Sequence, residues 1–222
     1  VCRNETEYVS LSALTGRILA QDVCAQFDAP RFDNSAMDGY AVCGLQQQNW
    51  LLTDSIAAGD ATHGLQLQTG QAMRILTGAA IPAGTEAVIA QEDVNVLDGL
   101  LVCDRPLKSG QHIRRLAEEY AAGEVLLPAQ MRLNAAAVGV IASQGLQHVA
   151  CFRRIRITVL SSGNELQVPG CELKENQIYD SNRAMLLAAL SDACFEVSDC
   201  GLLADDLPSS TDSLQAAARH ND

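Results

Sequence analysis

The period of the apolar positions changes several times along the chain, and each change marks a different expected element. Over residues 11–20, Leu11, Leu14, Ile18 and Leu19 recur at helical spacing behind Ser10, a residue suited to an N-cap, so a helix is expected there. From Phe27 to Tyr40 no period holds, and a long irregular stretch is expected. Residues 42–130 turn to short apolar runs, among them 73–76, 87–90 and 100–102. Turn signals such as Asp98-Gly99, Ser109-Gly110 and Pro82-Ala83-Gly84 separate these runs, and a small β-barrel or sandwich fits their lengths. Asn134 then heads an Ala/Val/Ile helix stopped by Gly145, with a short strand near Val149.

Past Arg153-Arg154 the pattern changes again. Residues 155–160 are rich in β-branched side chains and suit a strand. A loop follows over 161–180, then a helix over 182–194 capped by Asp180 or Ser181, a second strand over 196–203, and a polar helix from Pro208 to about His220. This order predicts parallel strands joined by right-handed crossovers. Two strands do not make a stable doubly wound domain, so the α/β domain is expected to be truncated, its third strand lying beyond Asp222.

Composition narrows the function classes. The 222 residues carry a net charge of −12, and no basic cluster exceeds the pairs Arg114-Arg115 and Arg153-Arg154, which disfavours nucleic acid and anionic membrane surfaces as partners. An anionic ligand would need a divalent cation as mediator. Aromatic residues make up 4%, so cores must rest on Leu, Val, Ile and Ala. The cysteines (Cys2, Cys24, Cys43, Cys103, Cys151, Cys171, Cys194 and Cys200) form no C-x-x-C pair. With no secretory leader pattern and no apolar run of membrane-spanning length, they are expected to be reduced, mostly buried thiols of a cytoplasmic protein.

Six stretches carry candidate chemistry. Residues 32–42 (FDNSAMDGYAV) put carboxylates, amides and backbone N–H groups on one extended loop, which suits a hydrated cation or polar ligand, or else a loop bonded to its own backbone. In 74–84 a strand runs into Thr77-Gly78, where a hydroxyl and an open backbone suit an oxyanion; the alternative is an ordinary strand-to-turn junction. Arg114 to Glu119 is a charged turn that solvent alone would explain. Leu160 to Leu166 and the pair Asp205-Asp206 follow the two parallel strands, where open α/β sheets bind ligands. Neighbouring strands lie about 4.8 Å apart, so Glu165 and Asp206 are placed to converge on one Mg²⁺-binding cleft; Asp206 equally suits the N-cap of the helix after it. Gln177 to Arg183 puts a cation near a helix N-terminus, facing a bound anion or paired with Glu165 or Asp180.

Taken together and in order, these stretches resemble one family. Residues 32–42 resemble its FDNSAMDGYAV signature, 74–82 its R-I-x-T-G-A-x-x-P segment, 86–92 its E-A-V-V-x-Q-E segment, 160–166 its STG-D-E-L motif and 178–183 its IYDSNR motif. The family is that of the molybdopterin molybdenumtransferases, which includes bacterial MoeA and the gephyrin E domain. The resemblance implies a mixed α/β multidomain protein. Residues 1–24 and 123–152 would form an elongated, discontinuous connecting domain, 25–122 an inserted β-rich domain, and 153–222 the start of a three-layer α/β domain with a mainly parallel sheet.

The resemblance further implies a homodimer with its active cleft between subunits, supplied by a molybdopterin adenylyltransferase upstream. The reaction implied is Mg²⁺-dependent insertion of molybdate into adenylylated molybdopterin with release of AMP. Carried over by motif, the catalytic positions are Asp38, Thr77, Glu119, Glu165 and Asp206, with Asp38, Glu165 and Asp206 on the metal and Thr77 donating to an oxyanion. Ser35, Gly78, Ser161, Gly163, Asp180, Ser181, Asn182 and Arg183 are the substrate-binding positions. The chain departs from the motifs at Asn164, where the family has an acid, and at Glu119, where it has Asp after a Gly-Glu pair. A catalytically incomplete fragment and a gephyrin-like interaction scaffold are the alternative readings.

Overall fold

The computed structural model describes residues 5–62 and 64–222. Along the chain come β1 (Thr6–Ser10), β2 (Val23–Cys24), β3 (Asn34–Ser35), β4 (Gly39–Val42), β5 (Asn49–Ile56), β6 (Gln71–Ile75), β7 (Ala87–Ala90), β8 (Asn95–Leu97), β9 (Leu100–Val102) and β10 (Ile113–Arg114). There follow β11 (Val125–Leu127), α1 (Ala135–Ser143), β12 (His148–Phe152), β13 (Ile155–Ser162), β14 (Leu166–Gln167), β15 (Ile178–Tyr179), α2 (Ser181–Ala189), β16 (Phe195–Leu203) and α3 (Leu207–His220). The chain divides into two compact units, one of Val1–Cys24 with Val125–Asp222 and the other of Ala25–Glu124.

In the Ala25–Glu124 unit one six-stranded sheet has the order β7-β4-β6-β5-β9-β8, with β5 and β6 parallel and the other pairs antiparallel. Side chains alternate faces along a strand. Ala41, Met73, Ile75 and Val88 therefore build a core on one face, while Tyr40, Val42, Ala72 and Ile89 join Trp50 and Leu101 on the other. Where a small β-barrel or sandwich was expected, the short runs, separated by turns such as Asp98-Gly99 and Pro82-Ala83-Gly84, form one mixed six-stranded sheet whose two faces are covered by the same chain's loops.

In the other unit β1 pairs with β12 and β2 with β11, both antiparallel, and α1 packs its Ala137 and Ile141 against Leu14, Leu19, Leu133 and Cys151. The Asn134 side chain caps α1, accepting the Ala137 N–H at 2.9 Å. The helix expected over 11–20 does not form. A single 3-10 turn, Leu11–Ala13, is followed by bridges of Ile18 to Arg132 and Leu19 to Cys151. The apolar spacing is real, but tertiary burial of Leu14 and Leu19 satisfies it without a continuous helix.

Within the same unit β13 runs parallel to β16, from Ile155 opposite Phe195 to Ser162 opposite Leu203, with α2 between them in sequence and α3 after β16. The loop expected over 161–180 contains a two-residue parallel pair, β14 with β15. The α2 helix stops five residues short of the expected 194. Asp192 forms an ion pair with Arg132 and accepts the Cys194 N–H at 2.9 Å, which fixes a turn instead of another helical turn. The described cysteines are free; Cys43, Cys103 and Cys151 are buried, whereas Cys171 and Cys200 are exposed, so burial is less general than expected. Cys2 lies outside the described residues. No helix among them is long and apolar enough to cross a membrane.

Candidate functional site

The antiparallel register of β4 and β6 sets Gly39 opposite Ile75, so the residues just beyond, Asp38 and Thr77, leave the sheet side by side. Gly39 is required there, because a Cβ would sit 1.9 Å from the Ile89 carbonyl oxygen of the neighbouring strand. Thr77 donates twice to one oxygen of Asp38, from its backbone N–H at 2.7 Å and from its hydroxyl at 2.6 Å. These two donors, hydroxyl first, with a smaller contribution from the Arg74 charge, hold the Asp38 carboxyl below the usual carboxylate range. Both residues are exposed, and the second Asp38 oxygen carries no hydrogen bond from the described residues. Thr77 was expected to donate to an oxyanion; its hydroxyl hydrogen is instead spent on Asp38, so the pair presents a carboxylate oxygen and hydroxyl lone pairs, an acceptor surface.

The rest of the 32–42 loop is occupied with itself. Ser35 is buried and its hydroxyl donates to the Met37 carbonyl at 2.6 Å, while the Gly78 N–H donates to the Ser35 carbonyl at 2.8 Å. Ser35 and Gly78, expected as substrate-binding positions, thus have these donors engaged within the protein. Asp33 accepts from Arg115 at 2.6 Å and from the Leu116 N–H at 2.8 Å, which docks the 114–119 turn on the loop. The Leu116 N–H, then Arg115, depress the Asp33 carboxyl. Glu118 closes the turn by accepting the Arg115 N–H at 2.6 Å. Glu119 is exposed and, with Pro30, Arg114 and Glu118, lines a hollow of about 190 Å³.

At the carboxyl edge of the parallel pair, Gly163 and Glu165 follow β13, and Asp205 and Asp206 follow β16. Gly163 is buried at φ +151, and the Glu165 carboxylate lies over it so closely that a Cβ would come within 2.7 Å of its oxygen. Asp206 caps α3, accepting the Ser209 N–H at 2.9 Å, and the Ser209 backbone bond lowers its carboxyl. Its capping role is therefore what the structure shows, and the exposed Asp205 beside it is the carboxylate outside the cap.

Asp180 differs from Asp38. It is buried and uses both oxygens, one taking the Ser161 hydroxyl and the other the Arg183 N–H at 3.1 Å; Ser161, then Arg183, depress its carboxyl. The Arg183 guanidinium was expected to meet an anion, Glu165 or Asp180. It binds Asp199 instead, through two hydrogen bonds of 2.7 and 2.8 Å. Asp199 escaped the sequence reading, although pairing β16 with β13 brings it to this edge. Ser161, Asp180 and Arg183 are thus committed within the protein, whereas Ser181 and Asn182 stand exposed on the first turn of α2. Among the described residues no three His, Cys, Asp or Glu side chains gather as a metal ion requires.

Comparison with known proteins places this geometry in context. A family model described as the MoeA N-terminal region, domains I and II, matches residues 1–145, and one described as a probable molybdopterin binding domain matches 158–222. A molybdopterin molybdenumtransferase of Haemophilus influenzae is 41% identical over 208 residues, which cover 90% of this chain and 50% of that protein. Molybdopterin molybdenumtransferase 2 of Mycobacterium tuberculosis is 38% identical over 214 residues, 93% of this chain and 52% of that protein. The crystal structure of the molybdopterin biosynthesis moeA protein of Pyrococcus horikoshii superposes with a TM-score of 0.90 at 30% identity, covering 99% of this chain and 60% of that one. The chain spans about half the length of the curated relatives it matches.

Proposed function

We propose, because the chain belongs to the molybdopterin molybdenumtransferase family, that it serves molybdenum cofactor biosynthesis by inserting molybdate into adenylylated molybdopterin with release of AMP. The observation that carries the proposal is the Asp38–Thr77 pair: an ionised carboxylate, pinned through one oxygen, with the other exposed at the end of two buried strands. Such an oxygen is preorganised to accept a proton from, or orient, a protonated oxygen or a hydrated ion, and it needs no rearrangement when it does so. Glu119 adds a second exposed carboxylate within the same unit.

In the other unit, Ser181 and Asn182 offer exposed polar side chains for the pterin nucleotide, Glu165 and Asp205 supply charge at the sheet edge, and Gly163 leaves room for the Glu165 carboxylate to lie over the backbone. Ser161, Asp180 and Arg183 shape that edge from within. Mg²⁺ dependence belongs to the proposal at the level of the whole enzyme, as do the homodimer and an upstream molybdopterin adenylyltransferase. Asp38, Glu165 and Asp206 are the carboxylates proposed to hold the ion there, and no step is assigned to it.

The test is Asp38→Asn, which keeps the size and an acceptor but removes the charge. Cofactor formed from molybdate and adenylylated molybdopterin should fall on the order of a hundredfold, the scale of losing one preorganised electrostatic group. Undiminished cofactor formation by a folded Asp38→Asn protein would remove the pair from the mechanism.

A further inference from the structure

A chain of bonds links β13, α2 and β16 toward the carboxyl edge of the parallel sheet. Ser161, next to the last residue of β13, donates to Asp180; Asp180 caps α2 through the Arg183 N–H; the Arg183 side chain forks onto Asp199 of β16. Asp199 also accepts the Gly201 N–H at 2.9 Å, where the register of β16 against β13 shifts. We infer that Asp199 is a positioning residue for the 161–165 loop, acting by keeping Arg183 away from Asp180. The inference rests on the proposed pterin-nucleotide role of that loop.

The physical case is one of competition. Arg183 stands in the first turn of α2, where the helix dipole disfavours a cation and favours the Asp180 carboxylate. Asp180 and Asp199 are the two carboxylates whose charges act on Arg183. A guanidinium prefers a planar, two-pronged acceptor, and Asp199 provides one at 2.7 and 2.8 Å. An exposed single ion pair contributes little, but this one is forked, the Arg183 side chain is only 18% exposed, and it belongs to a network. Without Asp199 the best remaining acceptor for Arg183 is Asp180, and a bond there displaces the Ser161 hydroxyl. Ser161 lies two residues before Gly163 and four before Glu165, so its release loosens the segment that carries both.

The test uses the protein carrying Asp199→Ala, Asp199→Asn, Arg183→Met, and the double variant Asp199→Ala/Arg183→Met. Amide hydrogen exchange over 162–166, read without ligand, should rise about tenfold in Asp199→Ala. It should return toward the parent rate in the double variant, because the competing cation is gone; Asp199→Asn, which keeps one acceptor, should lie between. Affinity for adenylylated molybdopterin should follow the same order, with a roughly tenfold loss in Asp199→Ala that the double variant recovers. A purely structural contribution of the ion pair predicts the opposite, with the double variant no better than the single, and that result overturns the inference. Unchanged exchange in Asp199→Ala overturns it as well. If exchange behaves as expected while the parent protein fails to bind the nucleotide, the positioning role stands and the proposed function falls.

Discussion

Asp38 and Asp180 are held by the same two kinds of donor, a hydroxyl and a backbone N–H, yet their surroundings differ. At Asp38 both donors come from Thr77 to one oxygen, and the second oxygen faces outward; at Asp180 the donors come from Ser161 and Arg183 to separate oxygens, and the carboxylate is buried. The sheets behind them differ too. β4 and β7 are buried along their whole length, with an apolar core on each face, while α2 and α3 have no buried residue and Val159 alone of β13 is buried. A covered sheet can hold a site residue rigidly and leave its outer oxygen to a ligand. At the β13–β16 edge the polar groups are tied into a charged network, and that network consumes them.

The contrast is broken most directly through the cores. Ile75→Ala, a fully buried residue of β6, should destabilise the Ala25–Glu124 unit by about 2–5 kcal/mol. Leu214→Ala in α3, where the side chain is 55% exposed, should stay within about 0.5 kcal/mol. Denaturant titrations of the two variants, followed by Trp50 fluorescence for the first unit and far-UV circular dichroism for the helices, compare them. Equal losses would mean that the two sheets are supported alike.

Asn134→Ala probes a place where both kinds of support meet. The Asn134 side chain is a polar cap on a helix with two buried apolar residues, and its loss should cost about 1 kcal/mol. Asn134→Ser should recover most of it, because a hydroxyl also accepts the Ala137 N–H. A loss near zero in thermal unfolding of Asn134→Ala would show that packing of Ala137 and Ile141 alone fixes α1.

How far these features were legible in the amino acids follows from how local their causes are. The Asn134 cap, the stop near Gly145 and the strand-helix order after Arg153 depend on neighbours within a few residues, and they are seen as expected. The segment 11–20 misled because its spacing of apolar residues also suits an extended chain threaded beside Arg132 and Cys151, far away in sequence. The Thr77-Gly78 junction carried a hydroxyl that two readings fitted, and only the register of β4 against β6 decides that it serves Asp38. Arg183 was visibly out of place for its helix dipole, but its partner lies on the next strand, and the pairing of β13 with β16 was needed to find it.

The smallest expected effect sharpens the comparison of the two carboxylates. Both have depressed pKa values, with the hydroxyl donor as the leading cause at each. A carboxyl whose folded pKa lies below its unfolded value near 4 stabilises the fold above that pH, and the contribution is lost as pH falls through the folded pKa. Thr77→Val and Ser161→Ala each remove the hydroxyl and leave the backbone N–H, so each carboxyl should titrate closer to its ordinary value without reaching it. The variants should accordingly lose part of the stabilisation present at neutral pH and lose the rest at a higher pH than the parent, in a window at and below about pH 4. Carboxyl carbon chemical shifts followed by NMR from pH 6 to pH 2 would read the two sites separately. Asp180 should move without any response at Asp38, and the reverse should hold for Thr77→Val; an unmoved carboxyl in either variant would show that its hydroxyl is not what holds the charge.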